Sequence, residues 1–251
     1  MTKRHVLIVG DSHIYAVMSA LDLKPELPSD LTFEALRNAT EKNGTMIGDV
    51  TIDGAIERAA KLTADDLVVT LYRGNQYNTI GLIQHPRPFD LLMQSVDGGQ
   101  IQPGAELIPV QMMRSHFAGT LRGGYGKIML RIQAATPARV ACVAPPAPKD
   151  DSEHIIKGAE TFFRQHGIAD FGVTAAPVRL KLWTLQQQAL AGFCEENGMI
   201  FLGNPPGTRN EAGFLRRRYY AEDATHANGP YGVLFLEQIA RIMVQDAPAA
   251  A

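Results

Sequence analysis

Residues 5–13 read His-Val-Leu-Ile-Val-Gly-Asp-Ser-His, a short apolar run that stops at small and polar residues. Four consecutive aliphatic residues, Val6 to Val9, predict a strand, and Gly10 and Asp11 supply the turn at which it ends. In an open parallel sheet, ligands bind beyond the carboxyl ends of the strands. The polar residues that follow this strand are therefore the first place to look for a functional site.

Short apolar runs of this kind alternate with longer helical patterns along the chain, which is typical of a parallel sheet covered by helices on both faces. The five predicted strands cover residues 5–9, 31–36, 67–72, 139–144 and 199–202. The clearest predicted helices cover 178–197 and about 229–244, where apolar residues recur at helical spacing. The sequence thus predicts an α/β fold in a single domain over residues 1–246, followed by a flexible tail over 247–251.

Residues 76–115 interrupt this alternation after the third strand, because the segment carries four prolines and four glycines. Its apolar residues predict that it packs on another part of the structure. They include Ile83, Phe89, Leu92, Met93, Ile108 and Met112. Two interpretations of this long insertion are equally favoured: a wall of the active site, or an interface with another chain.

Composition narrows the function classes. The chain has 251 residues, of which 45% are hydrophobic and 20% charged, so a disordered protein is excluded. A formal net charge of −2 provides no field for holding polyanions, and nucleic acid is not an expected partner.

No segment approaches the ~18 apolar residues of a membrane helix, and the run at 6–9 is too short for a signal peptide. Cys142 and Cys194 lie in apolar stretches, so we expect buried thiols in a reducing compartment and a cytoplasmic protein.

Polar residues near the ends of the predicted elements supply the parts that acyl transfer requires. Ser12 lies at a strand-to-helix junction, where a turn exposes the hydroxyl and the helix N-terminus favours a developing oxyanion. Asp223 and His226 are three residues apart, so the carboxylate can orient the imidazole toward Ser12. Gly48 offers a backbone N–H, and Asn75 a side-chain amide, to an oxyanion.

Each of these residues also has a purely structural interpretation. Asp and Ser are preferred helix N-caps, while Asn75 and Gly48 both suit turns. An Asp-x-x-His pair is also typical of a cap beside a surface histidine, or of two metal ligands. The stretch is not the Gly-x-Ser-x-Gly elbow of the α/β-hydrolases, because Ile14 occupies the position of the second glycine.

In order and content, these blocks resemble those of the SGNH hydrolases, also called the GDSL family of esterases and lipases, over most of the chain. Gly10-Asp11-Ser12 resembles the first block, residues 47–54 the second, Gly74-Asn75 the third, and Asp223 to His226 with Asn228 and Gly232 the fifth. The stretch Val143-Ala144-Pro145-Pro146 resembles the proline-ended fourth strand of the family. Four blocks in the same order are more specific than any one of them.

The resemblance implies a three-layer α/β/α fold of flavodoxin-like type and hydrolysis of an ester or thioester without a cofactor or metal. It implies that Ser12 attacks the acyl carbon, that His226 takes the serine proton, and that Asp223 orients His226. The oxyanion would then meet the backbone amides of Ser12 and Gly48 and the side chain of Asn75.

Three positions depart from the family pattern without removing a catalytic group: His13 replaces a leucine, Gln76 an aspartate and Ala227 a proline. His13 is either a further polar contact in the site or a solvated residue in the first helical turn, and the solvated position is favoured. Gln76 is a second candidate for substrate contact and puts the placement of Asn75 in question. Arg218, in a basic stretch before the fifth block, is a third candidate, although a solvated surface is favoured there.

Three functions remain open at this stage. Hydrolysis of a small-molecule ester or thioester is favoured. An acyltransferase would use the same residues with a sugar hydroxyl as acceptor, and a site shielded from water would favour it. A ligand-binding module on the same fold would have no activity. Whether the chain forms a homo-oligomer is also left open.

Overall fold

A computed structural model describes residues 3–42, 44–72 and 76–245. Its strands are β1 (Arg4–Gly10), β2 (Leu31–Arg37), β3 (Thr40–Lys42), β4 (Thr45–Ile47), β5 (Leu67–Leu71), β6 (Phe89–Asp90), β7 (Glu106–Leu107), β8 (Arg139–Val143) and β9 (Ile200–Leu202). Its helices are α1 (Tyr15–Asp22), α2 (Ile52–Ala59), α3 (Gln76–Gly81), α4 (Gln94–Asp97), α5 (Val110–Gly123), α6 (Tyr125–Ala135), α7 (Ser152–Lys157), α8 (Thr161–Gln165), α9 (Ile168–Phe171), α10 (Ala176–Glu196) and α11 (Gly229–Gln245). Two 3₁₀ turns, Ser12–Ile14 and Arg217–Tyr219, complete the set.

The centre of the molecule is a five-stranded parallel sheet in the order β2-β1-β5-β8-β9. Strand β1 lies inside it, with Val6 opposite Phe33 of β2 and Leu67 of β5. The residues Val6 to Val9 are all buried, because helices cover both faces of the sheet, and each fully buried aliphatic side chain contributes about 1.5–3 kcal/mol. All five predicted strands are confirmed, with ends that differ by at most one residue.

Two helical layers sandwich the sheet. Helices α1 and α11 pack on one face, around a core that includes Ile14 and Phe235. Helices α2 and α6, with the second half of α10, cover the other face around Met129 and Phe193. Gly232 lets α11 approach α1 closely, because a Cβ at this position would lie 2.0 Å from the carbonyl oxygen of Ala16. The predicted three-layer α/β/α architecture is therefore confirmed.

The two long helices that the sequence predicted are also present. Helix α10 spans Ala176–Glu196 and begins with a proline in its first turn, where the missing N–H costs nothing. Helix α11 spans Gly229–Gln245.

None of the helices in residues 3–42, 44–72 and 76–245 has the length and apolar character needed to span a lipid bilayer. Cys142 and Cys194 are buried free thiols.

The insertion after the third sheet strand packs against α10. It contains α3, α4, the two-stranded parallel sheet β6–β7 and the start of α5. Leu91 and Met93 are buried in a core shared with Trp183, whereas Leu92 and Met112 are exposed. The ammonium of Lys181, in α10, lies 2.9 Å from carboxylate oxygens of both Asp90 and Asp97, with all three groups largely buried. The prediction of packing is confirmed for part of the segment, and its role as wall or interface stays a prediction. The predicted tail over 247–251 lies outside the described residues.

Candidate active site

The turn after β1 places Ser12 at the carboxyl edge of the sheet. Gly10 ends the strand against β5, where a Cβ would lie 2.5 Å from the carbonyl oxygen of Leu71. The N–H of Asp11 donates to that same carbonyl at 3.1 Å, and the chain then enters the 3₁₀ turn. Asp11 begins this turn without a side-chain capping bond, and Ile14 precedes α1. The hydroxyl of Ser12 is instead directed to another part of the chain.

That partner is His226, on the loop before α11. Its Nε2 lies 2.7 Å from Oγ of Ser12, although the two residues are 214 positions apart in the sequence. On the other side of the ring, Nδ1 lies 2.8 Å from Oδ2 of Asp223. The second oxygen, Oδ1 of Asp223, accepts the backbone N–H groups of Thr225 at 3.1 Å and of His226 at 2.8 Å. A continuous chain of hydrogen bonds thus links carboxylate, imidazole and hydroxyl.

The electrostatic setting keeps Asp223 ionised. Partial burial opposes the charge, but hydrogen bonds from His226 and the nearby ammonium of Lys149 outweigh it and hold the pKa of Asp223 well below its ordinary range. An ionised carboxylate at Nδ1 places the proton on that nitrogen and leaves Nε2 with a lone pair toward Ser12. In this state, His226 can accept the serine proton.

His13 is not the solvated residue that we expected. Its side chain is buried, with 8% of its surface exposed, and its ring centroid lies 4.7 Å from that of His226. The 3₁₀ turn directs the ring inward, where it lines a narrow apolar cavity with Leu71, Tyr231 and Phe235. Neither ring nitrogen has a hydrogen-bond partner among the described residues. Burial, aided by His226 and opposed by Asp223, lowers the pKa of His13 to about 3, so the ring is neutral at ordinary pH.

Of the candidate oxyanion donors, Gly48 is described and Asn75 is not. Gly48 has a φ of +133° and lies against the chain at Asn38 and Ala39, where a Cβ would meet the carbonyl oxygen of Asn38 at 2.5 Å. That contact places Gly48 beside the residues that follow β2. Because Arg37 of β2 pairs with Gly10 of β1, Gly48 and Ser12 lie near the ends of two neighbouring strands. Asn75 lies outside the described residues, and its role stays a prediction.

The remaining candidates for substrate contact are less well supported. Gln76 is half-buried at the first position of α3. The side chain of Arg218 is exposed, with its guanidinium 4.7 Å from the ring centroid of Tyr219. The contribution of Arg218 to the loop is its carbonyl oxygen, which accepts a hydrogen bond from Asn228 at 2.8 Å. The roles of Gln76 and Arg218 in binding stay predictions.

Two charged residues near the hydrogen-bonded chain escaped the sequence analysis. Lys149, just beyond β8, is buried and donates to the backbone carbonyls of Ala221, at 2.8 Å, and Asp223. Burial lowers the pKa of its ammonium to about 8, against the opposing effect of Asp223 and Glu160. Glu160, which precedes α8, places Oε1 at 3.7 Å from Nδ1 of His226. No motif spacing marks either residue. The one sequence signal that could have identified Lys149 is its position after a predicted strand.

The same cluster has the donor atoms of a metal site, an alternative that the sequence left open for the Asp-x-x-His pair. Glu160, Asp223 and His226 offer one nitrogen and two carboxylate oxygens within 4.8 Å of one another. A cation there would take Nδ1 of His226, which is already bonded to Asp223. Metal binding and proton transfer along the hydrogen-bonded chain would therefore compete for the same atom.

Comparison with known proteins supports the fold, but the sequence identity to the matching structures is low. No protein-family model and no curated protein matches the sequence. The periplasmic domain of a lipopolysaccharide acetyltransferase from Salmonella ser. Paratyphi A aligns with a TM-score of 0.52 and 13% identity over 96% of this chain and 84% of that one. An extracellular lipase from Streptomyces rimosus aligns with a TM-score of 0.50 and 13% identity, over 94% and 99%. At this identity the likeness shows the fold alone, which is the fold implied by the resemblance to SGNH hydrolases.

Proposed function

We propose that this protein is a serine hydrolase that cleaves a small-molecule ester or thioester through an acyl-Ser12 intermediate. The observation that carries the proposal is the chain of hydrogen bonds from Asp223 through His226 to Ser12, with distances of 2.8 and 2.7 Å. A cap or a surface histidine would not bring these three side chains together across 214 residues of sequence. The shared fold with a lipase agrees with this chemistry.

In the first half of the reaction, Oγ of Ser12 attacks the acyl carbon while Nε2 of His226 takes the hydroxyl proton. The negative charge that develops on the acyl oxygen is met by the N–H groups of Ser12 and Gly48 and by the amide of Asn75, and one such donor is typically worth ~10²–10³ in rate. Collapse of the tetrahedral intermediate breaks the bond to the alcohol or thiol. His226 gives its proton to that leaving group, and the acyl group stays on Ser12.

In the second half, water attacks the acyl-serine and gives a proton to His226. The intermediate collapses to the free acid, and the proton returns to Ser12, so the enzyme is regenerated. Asp223 stays ionised throughout and stabilises the imidazolium that forms in both halves, consistent with a pKa held well below its ordinary range. No cofactor enters any of these steps.

Acyl transfer is a second candidate because the fold is shared with the periplasmic domain of a lipopolysaccharide acetyltransferase. A hydroxyl of an acceptor molecule would replace water in the second half, with the same residues and the same proton transfers. The reaction would then need an acceptor in the assay, and free ester would be hydrolysed slowly.

The test measures hydrolysis of p-nitrophenyl acetate, butyrate and octanoate by wild type, Ser12→Ala and His226→Ala, with EDTA present to remove metal ions. Labelling by a fluorophosphonate, located by mass spectrometry, reports an activated serine independently of the choice of ester. Ser115→Ala, which removes an exposed serine hydroxyl of α5, is the matched control. We expect label on Ser12 and turnover in wild type and the control, and neither in the other two variants.

Other outcomes separate the candidates. Labelling of Ser12 without hydrolysis of any ester would favour acyl transfer to a specific acceptor. A folded wild type that is neither labelled nor active would indicate a ligand-binding module and refute the proposal. Activity retained in His226→Ala would show that His226 is not the base. The proposed cytoplasmic location is tested separately, by fractionation of cells that produce the chain.

A further inference from the structure

We propose that Glu160 is a second carboxylate partner of His226, one that stabilises its protonated form and maintains its orientation when Asp223 is lost. The inference rests on the proposed function, because it assigns Glu160 as a positioning residue for the imidazole of the Ser12–His226–Asp223 chain. Neither the spacing of the blocks nor the family resemblance assigns a role to this residue.

The geometry places both carboxylates around one ring nitrogen. Nδ1 of His226 lies 2.8 Å from Oδ2 of Asp223 and 3.7 Å from Oε1 of Glu160. Between them, the hydroxyl of Thr225 lies 3.4 Å from Nδ1 and donates to Oε1 of Glu160 at 2.5 Å. The distance from Glu160 to Nδ1 exceeds a hydrogen bond by less than 1 Å. A small rotation of the ring or of Glu160 would therefore bring them into hydrogen-bond contact.

Glu160 is held in this position by the backbone around it. It occupies the N-cap position of α8 in extended conformation, and its side chain makes no capping bond to the helix, so the carboxylate is available to the loop of His226. Two residues earlier, Gly158 packs on that loop so closely that a Cβ would lie 2.2 Å from the carbonyl oxygen of Glu222. The close approach brings the start of α8 to the Asp223 loop.

The second oxygen of Glu160 supports a functional role. Oε2 is buried and has no hydrogen-bond partner within residues 3–42, 44–72 and 76–245. A bracing role needs only Oε1, which already accepts from Thr225. Burying the other carboxylate oxygen without a partner costs free energy, and proximity to a cation offsets that cost. The ammonium of Lys149, which interacts with Glu160, is one such cation. The imidazolium of His226, whose Nδ1 lies 3.7 Å from Oε1 of Glu160, is a second one in each half of the proposed reaction.

The charges around His226 allow the effect of Glu160 to be isolated. Around the ring lie the carboxylates of Asp223 and Glu160, the neutral imidazole of His13 and the hydroxyls of Ser12 and Thr225. The ammonium of Lys149 lies behind Asp223 and interacts electrostatically with both carboxylates. Burial lowers the pKa of His13 to about 3, so its ring carries no charge near neutral pH. Within residues 3–42, 44–72 and 76–245, the carboxylates that lie within 4 Å of Nδ1 of His226 are therefore those of Asp223 and Glu160.

The experiment compares wild type with Glu160→Gln, Asp223→Asn, the double variant and Thr225→Val. An opposite charge within ~4–6 Å typically shifts a titration by one unit or more, so Glu160→Gln should move the acidic limb of kcat/KM against pH down by ~1 unit. Loss of the aspartate in a Ser-His-Asp site typically costs ~10⁴ in kcat. Because Glu160 can still orient His226, Asp223→Asn should lower kcat by only ~10²-fold. The double variant, Glu160→Gln with Asp223→Asn, should fall to the kcat of Ser12→Ala.

Thr225→Val is the matched control, because it removes the hydroxyl bridge and keeps the carboxylate. We expect it to leave the acidic limb in place. If it reproduces the Glu160→Gln profile in full, or if Glu160→Gln does not move the limb, Glu160 only braces the loop and the proposal fails. It also fails if Asp223→Asn alone is as inactive as Ser12→Ala.

A readout without turnover separates this proposal from the proposed function. In Ser12→Ala protein, the Hε1 proton resonance of His226 is followed by NMR against pH, with and without Glu160→Gln. A lower titration midpoint in the Ser12→Ala, Glu160→Gln protein than in Ser12→Ala supports the role of Glu160 even if no substrate is ever found, and an unchanged midpoint overturns it. If Glu160→Gln does not fold, Glu160→Asp, which withdraws the carboxylate by one methylene, takes its place with the same expected direction.

Discussion

Replacement of His13 by leucine should make the protein markedly less sensitive to acid. The ring is 8% exposed, lies among apolar side chains and has no hydrogen-bond partner among the described residues, so protonation would bury an unpaired charge. Burial first, and His226 second, lower the pKa of His13 from its ordinary value of 6.5 to about 3. The unfolded chain keeps the ordinary value.

The sign and size of the effect follow from proton linkage. Between pH 6.5 and about 3, the unfolded chain binds one proton more at His13 than the folded chain does. The free energy of unfolding therefore has its full value above 6.5 and falls as the pH is lowered, by up to ~1.4 kcal/mol per unit. At about pH 4.5 the loss from His13 alone is ~2.7 kcal/mol, a large share of the ~5–15 kcal/mol that stabilises a typical domain.

The assay is urea denaturation followed by circular dichroism at several pH values between about 7.5 and 4.5. Leucine is close to histidine in volume, so His13→Leu should change stability near neutral pH by less than ~1.5 kcal/mol. Its loss of stability on acidification should be smaller than that of wild type by ~2.7 kcal/mol at about pH 4.5. His116→Leu, which alters an exposed histidine of α5, serves as the control and should keep the wild-type slope. Equal slopes for His13→Leu and wild type would refute the argument that His13 is buried and neutral.

Two further substitutions test the packing that positions the site. Gly158→Ala should lower kcat/KM at least ~10-fold, since its Cβ would meet the carbonyl oxygen of Glu222 at 2.2 Å and displace the catalytic loop. Gly119→Ala, at an exposed position of α5, should instead stabilise the protein by ~0.5–1 kcal/mol. Thermal melts and ester hydrolysis check both substitutions. Lys181→Met should cost ~3–5 kcal/mol in urea denaturation because it leaves the buried carboxylate of Asp90 without its cation, and an unchanged midpoint would contradict this.

Much of the fold was predictable because its signals are local. Strands that are buried on both faces must be apolar at successive positions, and turn residues must end them, so all five sheet strands were recognisable from runs such as 5–9 and 67–72. Helix α10 was recognisable from apolar spacing. The short elements of the insertion were not, because β6 and β7 have two residues each and depend on each other and on α10.

The sequence by itself determined which side chains stand near the ends of the predicted strands and helices, and so it identified Ser12, Asp223 and His226 as candidates. Only the tertiary structure decided that they meet: Ser12 precedes α1, His226 precedes α11, and these two helices pack closely at Gly232. Packing also buried His13, which a helical position alone left solvated, and brought Lys149 and Glu160 to the loop of His226. Burial and proximity between distant segments are properties of the folded chain, and no spacing within one segment encodes them.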